Sequence, residues 1–357
     1  MNHNKPMLAV IFTLVALFGA RYTPSQAPEW SKANSAAKAA REHGEYAKAQ
    51  ALYNQVIEMQ TSTLGPDSPA IAITLNNLAA SYQEQSMNLQ AEQAYQQALA
   101  ILSKDPQQEV SLARTMNNLA ALYMDMGADA NAEPLYTRAL GIWGQLTKKD
   151  NANEATSAIG LAGIYHSRND EAAAEPLYLH ALTLLDEEGK ADTTDAAGAM
   201  VHLAEIYRFR SNHTDAAALY ARVLGIWGQS GQIDSPQGIA AQAALGEIYR
   251  TEGKYEQAEP LVKEVLKVTE EKLGANDLQV AANLNNLAVI YYCEGKYEAA
   301  DPLYKEALNI RESNLGANDP AVLQTAEIYA ALLRQEGKTA DAAKLEAQSA
   351  RAGVAHL

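Results

Sequence analysis

Apolar residues recur along this chain at helical spacing, in segments that come in pairs. In residues 283–310 the first segment has Leu284, Leu287, Ala288 and Tyr291 at i, i+3, i+4 and i+7, which is one stripe of an α-helix. A second stripe follows Gly295 and contains Ala300, Leu303, Tyr304, Ala307 and Leu308. The pattern predicts two amphipathic helices joined by a short turn.

The paired segments repeat at a nearly fixed period of 41 or 42 residues. One alanine marks each period: Ala49, Ala91, Ala132, Ala174, Ala216, Ala258, Ala300 and Ala342. A period of this length is typical of a solenoid, in which each unit buries its apolar face by stacking on its neighbours. We therefore predict an all-α array of eight helical hairpins, with the small alanine where two helices cross closely.

Other positions of the repeat are equally regular. The first helix has a leucine four residues before a tyrosine, and the second helix has an aromatic residue four after the alanine: Tyr53, Tyr95, Tyr136, Tyr178, Tyr220 and Tyr304, with Val262 as the exception. The predicted turn residues are Gly44, Ser86, Gly127, Asn169, Ser211, Gly253, Gly295 and Gly337. Pro302 is expected early in its helix, where a proline removes no intrahelical hydrogen bond.

This pattern resembles the tetratricopeptide repeat. Within that family the 42-residue period, the run Leu75-Asn76-Asn77-Leu78-Ala79 and the run Glu133-Pro134-Leu135-Tyr136 are similar to the kinesin light chain subtype. The resemblance covers roughly residues 30–350 and implies a right-handed superhelical solenoid. It also implies that one face of each first helix lines a concave groove that binds extended peptides.

The candidate groove positions are two residues before, two after and five after the first-helix leucine, because a step of about 100° per residue places them on one face beside the core. The peptide-binding candidates at these three positions are Asn76, Asn117 and Asn285, then Glu205 and Glu247, then His166, Arg208, Arg250, Tyr292 and Arg334. We expect solvent-facing asparagines to bond a peptide backbone and arginines to hold acidic side chains.

A simpler alternative applies to the charged candidates. Glu205 with Arg208, and Glu247 with Arg250, stand at i and i+3 and can pair with each other.

Residues 7–20 form an apolar run too short for a full membrane span, so residues 1–27 are predicted to be a signal peptide or short membrane anchor. We expect an exported protein, periplasmic, extracytoplasmic or tethered through this segment, its only membrane contact. Residues 28–64 then form an atypical first capping repeat, residues 65–315 the core array, and residues 316–357 the last repeat with a C-terminal capping helix.

The formal charge of −15 disfavours nucleic acid as a partner. No glycine-rich phosphate loop, nucleophile elbow or metal-binding motif is found, so we predict no enzymatic activity, no cofactor and no metal site. The single cysteine, Cys293, cannot form an internal disulfide.

The favoured function is a non-enzymatic scaffold whose groove binds a peptide or helix of a protein partner. The alternatives are a self-associating structural array and a cytoplasmic cargo adaptor like the kinesin light chains, although a heavy-chain-binding segment of the kind those adaptors carry is missing. The sequence does not indicate an oligomeric state.

Overall fold

The computed structural model describes residues 29–147 and 149–354, with side chains described through residue 347. These ranges contain sixteen α-helices and no strand. The helices are α1 (Glu29–Glu42), α2 (Tyr46–Leu64), α3 (Pro69–Gln83), α4 (Asn88–Leu102), α5 (Glu109–Asp125), α6 (Asp129–Gln145), α7 (Asn151–Ser167), α8 (Glu171–Glu187), α9 (Thr194–Phe209), α10 (His213–Ser230), α11 (Pro236–Thr251), α12 (Tyr255–Leu273), α13 (Leu278–Cys293), α14 (Tyr297–Leu315), α15 (Pro320–Gln335) and α16 (Thr339–Val354).

The chain divides into two compact units, residues 1–177 and 178–357, with the boundary inside α8. In the first unit α1 packs on α2, α3 on α4 and α5 on α6, and in the second unit α9 to α16 form four such hairpins. Within each unit the second helix of a hairpin also packs on the first helix of the next hairpin. No helix in the described ranges is both long and apolar enough to cross a membrane, and the apolar run at residues 7–20 lies outside them.

The hairpin turns follow the sequence prediction. All eight predicted turn residues have positive φ, including the three that are not glycine: Ser86 at 57°, Asn169 at 59° and Ser211 at 60°. Such a backbone ends a helix and reverses the chain, and glycine adopts it without a steric penalty.

The expectation for Pro302 is wrong. Helix α14 begins at Tyr297, so Pro302 is inside it, as are Pro134, Pro176 and Pro260 in theirs. A backbone N–H at position 302 would have had the carbonyl of Glu298 as its partner. Each of these prolines therefore removes a helical hydrogen bond.

The glutamate of the Glu-Pro-Leu-Tyr run ties one hairpin to the next. Glu133 lies 2.7 Å from Arg168 of the turn that follows the next first helix. In the second unit Glu259 accepts a hydrogen bond of 3.0 Å from Tyr291 and one of 3.5 Å from Lys296. The hydrogen bond from Lys263 and the other partners lower the pKa of Glu259.

The second-helix tyrosine fills the space between its own hairpin and the next. A β-carbon added to Gly160 of α7 would lie only 2.3 Å from Cζ of Tyr136 in α6. Tyr136 is 4% exposed, so its ring has little room to move away.

We expect Gly160→Ala to lower the free energy of unfolding by about 1–3 kcal/mol, because the new methyl group overpacks this contact. Gly141→Ala is the control, since Gly141 is helical, exposed and has no neighbour near its would-be β-carbon. In the control, the free energy of unfolding should rise by about 0.5–1 kcal/mol, because alanine has the higher helix propensity. Urea denaturation followed by circular dichroism measures both, and a Gly160→Ala protein as stable as the control contradicts the packing described.

Candidate functional site

Two of the three predicted groove asparagines, Asn76 and Asn117, form contacts between repeats. Asn76 in α3 is half-buried, and its Nδ2 donates to the carbonyl of Ala72 at 3.0 Å and to Oγ1 of Thr115 in α5 at 2.7 Å. Its Oδ1 accepts from Asn118 at 3.4 Å. Both ends of the Asn76 amide are thus used to join α3 to α5.

The expectation that Asn117 faces solvent is wrong, because its side chain is 3% exposed. Its Nδ2 donates to the carbonyl of Asn153 at 3.0 Å, and its Oδ1 accepts from Ser157 at 2.6 Å. Ser157 in turn accepts from the indole N–H of the buried Trp143 at 3.0 Å. Asn117 is therefore a buried link between α5 and α7, out of reach of a peptide.

Asn285 in α13 is half-buried, and its Oδ1 is buried without a hydrogen-bond partner among the described residues. The reason is visible in the repeat. The Oδ1 of Asn76 accepts a hydrogen bond from Asn118. The residue equivalent to Asn118 in the hairpin after Asn285 is Ile328, whose side chain has no hydrogen-bond donor.

A related set of contacts joins the end of each second helix to a residue fourteen positions later. Gln60 accepts from Thr74 at 2.9 Å, Trp143 donates to Ser157, and Thr269 accepts from Asn283 at 3.1 Å. Arg311 donates to Thr325 in the same way. At three further hairpins both positions are apolar and buried: Leu102 with Met116, Leu185 with Ala199, and Trp227 with Ala241. The polar or apolar character of one member thus matches that of the other.

The two predicted Glu–Arg pairs differ in the structure. Arg250 donates to Glu247 through Nε at 2.8 Å and through Nη2 at 2.5 Å, so here the simpler pairing is confirmed. These hydrogen bonds raise the pKa of Arg250. Glu205 lies 3.1 Å from Nδ1 of His202, a neighbour that the i, i+3 expectation with Arg208 did not foresee.

The residue five after the leucine faces the second-helix position twelve residues later. Gln83 accepts from the Tyr95 hydroxyl at 3.4 Å, and Arg334 donates to Glu346 at 2.6 Å. Burial and the nearby charge of Glu205 raise the pKa of the Tyr220 hydroxyl, and the nearby guanidinium of Arg208 opposes that rise. Arg208 itself is exposed and forms no ion pair within the described part of the chain.

The remaining candidates are half-buried side chains with local neighbours. Nδ1 of His166 lies 3.0 Å from Oε2 of Glu171. The ring of Tyr292 lies 5.5 Å from that of Tyr297, tilted by 52°.

Sequence reasoning missed a small cavity of about 20 Å³ in the second unit. Its lining consists of Ala243, Glu247, Arg250, Val262, Val265, Asn283 and Asn286. The signal for it was the break in the tyrosine series at Val262.

The profile of the tetratricopeptide repeat matches residues 31–104, 111–187, 195–271 and 279–352. The chain therefore belongs to the tetratricopeptide repeat family, and the predicted all-α array is confirmed. Proteins of this family are typically interaction scaffolds without catalytic activity.

Solved structures with a similar fold include the apo form of RapI, with 13% identity, a TM-score of 0.56 and coverage of 80% of this chain and 98% of that one. BtubC (BKLC) from P. vanneervenii is also similar, with 24% identity, a TM-score of 0.41 and coverage of 79% of this chain and 92% of that one. A putative kinesin light chain repeat protein from Podosopora anserina has 20% identity, a TM-score of 0.44 and coverage of 57% of this chain and 96% of that one. No curated protein matches the chain.

We expect Asn117→Ala to lower the free energy of unfolding by about 1–3 kcal/mol, because the Ser157 hydroxyl and the Asn153 carbonyl each lose a hydrogen-bond partner in a buried site. Asn54→Ala is the control, since Asn54 is exposed within α2. Thermal denaturation of both variants measures the difference, and equal melting temperatures would show that the buried network adds nothing.

Proposed function

We propose that the chain is a protein-interaction scaffold that binds an extended peptide segment along the groove positions of α9, α11, α13 and α15. Those positions supply one residue per hairpin five after the leucine: Arg208, Arg250, Tyr292 and Arg334. A peptide in extended form advances across successive hairpins, so each hairpin meets a different side chain of the ligand.

The observation that carries this proposal is the state of Arg208. Arg250 and Arg334 already bind Glu247 and Glu346, whereas Arg208 is exposed and forms no ion pair within the described residues. An exposed guanidinium without an internal carboxylate can bind one from a partner bidentately. Arg208 is thus the residue through which an acidic side chain of the peptide is held.

Binding is tested with a displayed library of random 12-residue peptides selected on the full chain. Arg208→Gln should weaken the selected peptides by about tenfold or more, because a charge-assisted hydrogen bond is lost. Arg138→Gln is the matched control, with the same change of charge at an exposed position of α6 in the other unit. Selection of no peptide, or equal affinities for both variants, would overturn the proposal.

We also propose that the protein is exported, on the strength of the apolar run at residues 7–20. Full-length protein fused at its C-terminus to alkaline phosphatase, which is active only outside the cytoplasm of a bacterial host, should give activity. A variant with Val10, Leu14 and Leu17 each changed to Arg should abolish it, because charges prevent insertion of an apolar segment. Activity that persists in this variant contradicts export through this run.

A further inference from the structure

The sixth hairpin, α11 with α12, departs from the repeat at two facing positions. Val262 stands where six other hairpins have a tyrosine, and Gly246 stands where the other first helices have alanine: Ala79, Ala120, Ala162, Ala204, Ala288 and Ala330. The two positions touch, because a β-carbon on Gly246 would lie 3.2 Å from Cγ2 of Val262. Both changes remove volume from the same contact.

A small cavity lies beside Val262. The walls are Val262 and Val265 of α12 and Asn283 and Asn286 of α13. The other three lining residues, Ala243, Glu247 and Arg250, occupy the three groove positions of α11. The cavity therefore lies against the face on which the peptide is proposed to bind, and at about 20 Å³ it has room for one group of the size of a water molecule.

The charges at this cavity are balanced. In the second hairpin, which has the tyrosine, the residue equivalent to Arg250 is Gln83, and it accepts a hydrogen bond from the Tyr95 hydroxyl. At Val262 no hydroxyl is present, and Arg250 forms both of its contacts with Glu247. A second charge placed beside this satisfied pair would be desolvated without a partner, so the fitting occupant is neutral.

The cavity also offers hydrogen-bonding groups of both kinds. Asn283 uses one N–H on Thr269, and the Asn286 amide has no hydrogen-bond partner within the described residues. An asparagine amide donates and accepts, as a hydroxyl does. The valines provide an apolar wall for the carbon atoms that carry the hydroxyl.

We propose that this cavity is a subsite for the hydroxyl group of one serine or threonine side chain of the bound peptide. The subsite rests on the proposed function, since the peptide brings the hydroxyl to it. The hydroxyl of the peptide occupies the place that a tyrosine of the chain itself fills in six other hairpins. The sixth hairpin thereby selects peptides that carry a serine or threonine at this point.

For the test, peptides are selected from the random 12-residue library on the full-length wild type. Their affinity for the wild type is then compared with their affinity for two variants. Val262→Tyr fills the cavity with the residue of the other hairpins, and Asn286→Leu removes the amide. Val110→Tyr, at an exposed position of α5, is the matched control. Circular dichroism verifies that each variant is folded, and Asn286→Leu carries the test alone if Val262→Tyr does not fold.

The selected peptides should share a serine or threonine at one position. Replacing it with alanine should weaken binding to the wild type by about fivefold, which is typical of one lost hydrogen bond, and leave binding to either cavity variant unchanged. Val110→Tyr should behave as the wild type does.

Two outcomes overturn the inference in distinguishable ways. Peptides that bind through Arg208 without a serine or threonine preference remove the subsite and leave the scaffold function standing. Selection of no peptide at all removes both.

Discussion

The close approach of two helices at a buried alanine is the contact on which the structure depends. All eight recurring alanines are 0% exposed, and each lies one turn before the aromatic position of the same helix. A small side chain lets the first helix come near, and the bulky tyrosine then reaches past it to the next hairpin, as Tyr136 reaches Gly160. One spacing in the sequence therefore fixes the packing within a hairpin and between hairpins.

Polar residues reinforce this stacking and thereby limit what the groove can offer to a ligand. Asn76 and Asn117 join first helices of successive hairpins, and the contacts between positions fourteen residues apart join second helices to the next first helix. A buried polar group without a hydrogen-bond partner costs more free energy than a complete hydrogen bond contributes. Asn76 and Asn117 are thus accounted for by stacking, and the proposed groove chemistry is assigned to the arginines and to the sixth hairpin.

Departures from the repeat are where its hairpins differ in their side-chain contacts. In the second hairpin Gln83 accepts a hydrogen bond from the Tyr95 hydroxyl, and in the last hairpin, where Glu346 replaces the tyrosine, Arg334 forms an ion pair with it. Where Val262 replaces the tyrosine, Arg250 turns to Glu247 and a cavity remains. The regular positions build the array, and the irregular ones make the side chains presented by successive hairpins differ.

The sequence by itself determined the period, the helices, the turns and the family, because apolar spacing and positive-φ turn residues act locally and repeat eight times. It also identified the Glu247–Arg250 pair as the simpler alternative for those two residues. Tertiary structure decided which of the candidate residues are accessible, since the exposure of Asn117 depends on Ser157 and Asn153 in the next hairpin. Helical periodicity gives the direction of a side chain and not what stands opposite it, so the burial of Asn117 and the cavity at Val262 emerged only when neighbouring helices were packed together.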